Sequence, residues 1–141
     1  MNGEQRAPGS PRRATETGPV QVRRVDKPWG HELIWAHTDR YVGKILHIRA
    51  GHALSVQSHE RKDETVYLLR GEIIYRVQRS GESQEMEEVR LRAGESFRLA
   101  AGTIHQMEAV TDCDVLEAST PDLDDVVRLS DRYGREGTNT P

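Results

Sequence analysis

Nine short segments rich in strand-forming residues, at about 31–35, 41–49, 53–59, 64–70, 72–79, 86–91, 95–99, 103–110 and 113–119, succeed one another with little between them but Gly or charged turns. Elements this short and this evenly spaced are strands, so the chain is expected to fold as an all-β sandwich or barrel. A double-sheet jelly roll is one standard way to manage the edges of so many short strands. The one helical expectation is a short helix near Asp122 to Leu129, and nothing repeats at a solenoid period.

A chain of 141 residues can bury a core as a single domain without disulfide or zinc staples, and its one cysteine, Cys113, cannot make an internal bridge. The first 20 residues hold three Pro, three Gly and almost no bulky apolar residue. A loose tail is expected there, a second over 136–141, and the domain between them at 21–135. No apolar run approaches a membrane span and no secretory apolar core follows Met1, so a cytoplasmic location and no membrane partner are expected. With 20 basic and 23 acidic residues and a net charge of −3, the chain lacks the electrostatic footprint of a nucleic-acid binder. Small molecules or a second copy of the chain are the expected partners.

Residues 51–71, GHALSVQSHERKDETVYLLRG, carry the chemistry. In a strand, side chains two apart share a face, so Gln57 and His59 look the same way. Glu64 shares a face with Val66 and Leu68, the apolar side of its strand, where a bare carboxylate is costly unless paired or bound to a cation. His105 repeats this with Met107 and Ala109. Two imidazoles, a carboxylate and an amide oxygen suit a divalent transition metal that keeps positions open for water or substrate. Zinc, manganese, iron, cobalt, nickel and copper all fit that set.

At these residues the chain resembles the cupin superfamily, whose two motifs read G-x5-H-x-H-x3,4-E-x6-G and G-x5-P-x-G-x2-H-x3-N. Gly51, His59, Glu64 and Gly71 match the first, and Gly94, Gly102 and His105 the second. Gln57, Ala100 and Ala109 stand where the motifs have His, Pro and Asn. Three further stretches, DKPWGHELIW (Asp26 to Trp35), YVGKILHIRAGHALSVQSH (Tyr41 to His59) and DDVVRLSDRYGR (Asp124 to Arg135), resemble the cupin domain of type II phosphomannose isomerases, also found fused behind mannose-1-phosphate guanylyltransferases. In that subgroup Gln57 is the expected residue. Where it usually has R-A-E-H-W, this chain has Lys62-Asp63-Glu64-Thr65-Val66, which keeps the carboxylate and alters the substrate side. The resemblance implies a cupin jelly-roll barrel, a metal held by Gln57, His59, Glu64 and His105, and interconversion of mannose 6-phosphate and fructose 6-phosphate.

Four more residues are candidates for the reaction. Alternation in YVGKILHIR puts Lys44 on the apolar face with Val42, Leu46 and Ile48, so it either lines a pocket as a catalytic ammonium or snorkels to the rim. Glu117, sharing a face with Cys113 and Val115, either enters the cavity as an acid/base group or faces solvent. Lys62 and Arg128 are candidates to bind a substrate phosphate. The bland alternatives are a solvated turn for Lys62 and an ion pair with Asp124, Asp125 or Asp131 for Arg128. His31, His37, His47 and His52 have no partner at ligand spacing and read as structural. A cupin oxygenase and a non-catalytic carbohydrate-binding module are the competing functional readings. A homodimer is expected, with a strand from Val20 to Val25 adding to the partner's sheet.

Overall fold

The computed structural model describes residues 17–78 and 85–138. Its described residues form eleven strands and no helix: β1 (Arg23–Lys27), β2 (Gly30–His37), β3 (Val42–Ile48), β4 (Val56–Ser58), β5 (Glu64–Arg70), β6 (Glu72–Gln78), β7 (Glu87–Arg92), β8 (Ser96–Leu99), β9 (Ile104–Ala109), β10 (Cys113–Ser119) and β11 (Val127–Ser130). All pairs are antiparallel. They make a six-stranded sheet in the order β1-β2-β3-β10-β5-β8 and a five-stranded sheet in the order β11-β4-β9-β6-β7.

The period-two pattern places side chains as alternation requires. In β5, Glu64, Val66 and Leu68 are buried while Thr65, Tyr67 and Leu69 are exposed. In β10, Cys113, Val115, Glu117 and Ser119 all turn inward. The apolar core fills one half of the space between the sheets, around Ile73, Tyr75, Val77, Leu91, Met107 and Val115. A polar cavity occupies the other half. The turn from β5 to β6 hinges on Gly71, at φ +98°, where a Cβ would stand 2.4 Å from the Asp112 carbonyl oxygen. No L side chain fits there.

One expectation is corrected. The segment near Asp122 to Leu129 is not a helix but a pair of turns, closed by Asp125 N–H to the Asp122 carbonyl and Val126 N–H to the Asp124 carbonyl, that leads into β11. Pairing with β4 outweighs the local helical pattern there. Residues 23–27, within and beyond the stretch expected to reach a partner's sheet, pair on one side with β2 of their own chain, from Arg23 opposite Ile34 to Lys27 opposite Gly30. β1 is thus an edge strand of its own barrel.

The expected N-terminal tail lies outside the described residues up to residue 16, and the expected C-terminal tail from 139 onward. Residues 136–138 are tied in: Gly137 N–H donates to the Arg128 carbonyl, Thr138 N–H to the Arg135 carbonyl, and Arg128 Nη1 to the Thr138 carbonyl at 2.9 Å. Just before them, Arg135 grips the buried Asp131 through Nε and Nη2, at 2.9 and 3.1 Å, and its guanidinium lies 5.8 Å from the Tyr133 ring centre. Among the described residues no helix is long and apolar enough to cross a membrane.

Candidate metal centre

His59, Glu64 and His105 converge from three places in the chain. His59 follows β4, Glu64 opens β5 in the other sheet, and His105 lies in β9. One ligand atom from each lies within 4.8 Å of the others. Glu64 Oε1 stands 3.6 Å from His59 Nε2 and 3.5 Å from His105 Nε2. The far nitrogens fix the proton positions: His59 Nδ1–H donates to the Asp125 carbonyl, and His105 Nδ1–H donates to the Thr103 carbonyl at 2.9 Å. A carbonyl only accepts, so in each neutral ring the Nε2 lone pair faces the carboxylate.

Two lone pairs and an anionic oxygen thus meet with no proton among them, and His59 Nε2 is buried without a hydrogen-bond partner. That is a poor arrangement for an empty core and a good one for a cation. Ligand atoms about 2.1 Å from one ion at a tetrahedral angle lie about 3.4 Å apart, close to the two spacings seen. The residues therefore fit a divalent metal, with the Asp125 and Thr103 carbonyls already orienting the two rings. Gln57 pairs with His105 in register on the neighbouring strand, and its Oε1 accepts from Ser55 Oγ at 3.2 Å.

Glu64 is anchored from behind. Lys62 Nζ lies 3.0 Å from Glu64 Oε2 and 3.3 Å from Glu117 Oε2. The ammonium is close to Glu64 Oε2 for charge pairing but off the hydrogen-bonding line, so that oxygen has no aimed donor. Burial works against the charge on Glu64, yet the Lys62 ammonium beside it holds its pKa well below the usual value. Burial, and then the neighbouring Glu64 charge, push Glu117 up to about 7. Lys62 itself is held above its ordinary value, because the two carboxylates outweigh the opposing effect of burial. It is a buried bridge between two acids, not a solvated turn residue.

The cavity as a whole, about 380 Å³, is lined from both sheets. Lys44 faces it, only 8% exposed, on the same inward face as Val42, Leu46 and Ile48. It lies opposite Glu117 in the β3–β10 register and donates to Glu32 Oε2 at 3.4 Å. Glu117 is 7% exposed and faces the same cavity rather than solvent. Arg128 also points in, with no carboxylate within ion-pair distance among the described residues and its Nε buried and unpartnered. Asp125, one of its candidate partners, caps the β4–β5 loop instead, accepting from the N–H groups of Glu60, Arg61 and Lys62. Asp131 is taken by Arg135.

Sequence reading missed Lys27 and Glu32, which line the same cavity. Glu32 was within reach of the argument used for Lys44, since it shares the inward face of β2 with Ile34. Lys27 gave no such signal. Of the other histidines, His37 lines the cavity, whereas His31 and His47 stack at 5.1 Å on the outer side of the six-stranded sheet and His52 Nδ1 meets Tyr133 Oη at 2.7 Å.

Two antiparallel sheets closed over a polar cavity, with a His/Glu/His group that could hold a metal on facing walls, define a jelly-roll barrel. Residues 44–118 match the Cupin domain, and the chain belongs to that family. Among curated proteins it is 33% identical over 118 residues to the mannose-1-phosphate guanylyltransferase ManC of Salmonella typhimurium, covering 80% of this chain and 23% of that protein. The Escherichia coli mannose-1-phosphate guanylyltransferase is 32% identical over the same shares. The chain thus spans under a quarter of the length of these relatives. Among solved structures, KdgF from Halomonas sp. superposes with a TM-score of 0.59 at 24% identity, covering 72% of this chain and 87% of that one. Oxalate decarboxylase from Bacillus subtilis superposes with a TM-score of 0.66 at 12% identity, over 82% of this chain and 34% of that one. At such identities the structures share the fold.

Proposed function

We propose that this chain is a metal-dependent isomerase that interconverts mannose 6-phosphate and fructose 6-phosphate. The observation that supports it most is the meeting of Glu117 and Lys44 on adjacent strands of one cavity, beside the His59–Glu64–His105 group. In this reading Gln57, His59, Glu64 and His105 hold a divalent ion. Bound there, such an ion would supply Lewis acidity that stabilises negative charge developing on the sugar's oxygens.

The reaction is redox-neutral and moves hydrogen between neighbouring carbons. Glu117 takes the proton from C2 of the open-chain aldose, and the aldehyde oxygen O1 gains a proton from solvent water, giving the enediol. O2 then returns a proton to solvent water, C1 receives the one held by Glu117, and the ketose results. The Lys44 ammonium donates a hydrogen bond to the oxygen on which charge develops. Lys62, already engaged by Glu64 and Glu117, orients those two carboxylates. Arg128 receives the phosphate. The test is a coupled assay of the purified protein with mannose 6-phosphate and each candidate metal, expected to yield fructose 6-phosphate. A folded, metal-loaded protein that leaves mannose 6-phosphate unchanged overturns the isomerase reading.

The same reading includes a two-fold dimer. Leu33, Ile45, Leu116 and Tyr67 follow one another in register across β2, β3, β10 and β5 on the outer face of the six-stranded sheet. Trp35 and Leu69, each about half exposed, extend that apolar row. A row of this kind meets its own copy with little polar desolvation. Light scattering at micromolar concentration should give twice the 16.0 kDa chain mass, and Leu116→Lys should return it to one chain. A single-chain mass for the wild type at every concentration sinks the dimer.

A further inference from the structure

We propose that Lys27, on edge strand β1, and Arg128, on edge strand β11, form a receptor for a doubly charged phosphoryl group in the cavity, two strands along the wall from His105. This rests on the sugar-phosphate reading above and adds a recognition residue, Lys27, together with the position and charge of the group recognised.

The charges around these two residues do not balance. Lys44 donates to Glu32 at 3.4 Å, which makes one neutral pair. Arg135 and Asp131 make another, doubly hydrogen-bonded. At the rim, Arg23 and Asp124 are of opposite sign. Lys27 reaches the already engaged Glu32 only at 3.9 Å, with its side chain 12% exposed. Arg128, 7% exposed, spends one nitrogen on the Thr138 carbonyl and leaves Nε buried without an acceptor. Two cations therefore remain without a counter-charge of their own in a confined space, which is costly until an anion arrives.

A phosphate monoester brings a charge of about −1.5 to −2 at neutral pH and three acceptor oxygens, whereas a carboxylate brings one charge. A guanidinium and an ammonium from different strands are a matched pair for it, the first as a planar donor fork and the second as a point charge. The crowding of cations is real in electrostatic terms. Burial lowers the pKa of Lys27, Glu32 opposes that shift, and Lys44, Arg128 and Arg135 add to it.

Position follows from register. Arg128 pairs with Gln57, and Gln57 with His105, so the three occupy one row across β11, β4 and β9. With neighbouring strands about 4.8 Å apart, Arg128 lies about 10 Å along the wall from His105. A ligand that reaches both carries its phosphate at the terminus remote from its metal-chelating oxygens, as a sugar 6-phosphate does.

Calorimetry of the metal-loaded full chain with glucitol 6-phosphate, an open-chain ligand that cannot be isomerised, tests this. The wild type should bind it at least about tenfold more tightly than glucitol, and Lys27→Met and Arg128→Met should each lose about tenfold or more of that affinity. Both variants should keep their metal and unfold, without ligand, no earlier than the wild type, and Lys27→Arg should restore binding. On the wild type alone, inorganic phosphate should displace glucitol 6-phosphate and acetate should not. Equal displacement by acetate, no preference over glucitol, or wild-type affinity in either Met variant overturns the receptor. Glucitol 6-phosphate binding that depends on Lys27 and Arg128, without turnover of mannose 6-phosphate, overturns the isomerase reading and leaves the receptor standing. Turnover with unchanged KM in both Met variants does the reverse.

Discussion

Replacing His59 and His105 together with alanine should abolish divalent-metal binding. Wild-type protein freed of any purification tag is expected to carry about one divalent ion per chain by elemental analysis, and the double variant less than about a tenth of that. The reasoning lies in the three ligand atoms: with both Nε2 lone pairs gone, Glu64 alone remains, and its charge is already engaged by Lys62. Thermal unfolding gives an independent readout. A ion that binds only the folded chain raises the unfolding temperature of the wild type in proportion to the logarithm of its concentration. The variant should show no such rise, and a chelator should lower the wild type to its own metal-free value. Metal content near that of the wild type in the double variant would rule this site out.

Glu117→Gln should reduce turnover of mannose 6-phosphate by about 10²- to 10⁴-fold, the usual contribution of a positioned general base. Glutamine keeps the shape of the side chain and an oxygen that can accept from Lys62, so the fold and the metal content should hold while the proton acceptor is lost. KM should change little, because nothing that meets the phosphate is touched. A kcat within about threefold of the wild type would remove Glu117 from the chemistry and leave a bound water as the alternative base.

The central strands were legible because each has one wet face and one dry face. β5 and β10 begin and end where alternation places them, and Glu64, Lys44 and His105 lie on the faces their apolar neighbours mark. Two of the four edge strands, β11 and β1, were harder. β11 is four residues long with only Arg128 buried, so its sequence carries a single inward signal, and that signal is a charge. β1 has the same weakness, with no fully buried residue. Lys62 was illegible for another reason. It sits in a loop, where no periodicity reports direction, and only the fold brings Glu117, 55 positions away, to meet it. The four-ligand grouping came from resemblance and spacing together, whereas the Nδ1 carbonyl partners could come only from three-dimensional structure.

The matched cupin region ends at residue 118, before Asp125 and Arg128. Asp125 does two jobs at once: its carbonyl accepts from His59, and its carboxylate gathers the N–H groups of Glu60, Arg61 and Lys62. A fragment that stopped at Ser119 would retain His59, Glu64 and His105, yet its His59 ring would be free to turn and the loop carrying Lys62 would lose its anchor. Anyone trimming this domain for engineering, or grafting its ligands onto another barrel, must therefore carry the segment from Asp122 to Thr138 along with the barrel itself.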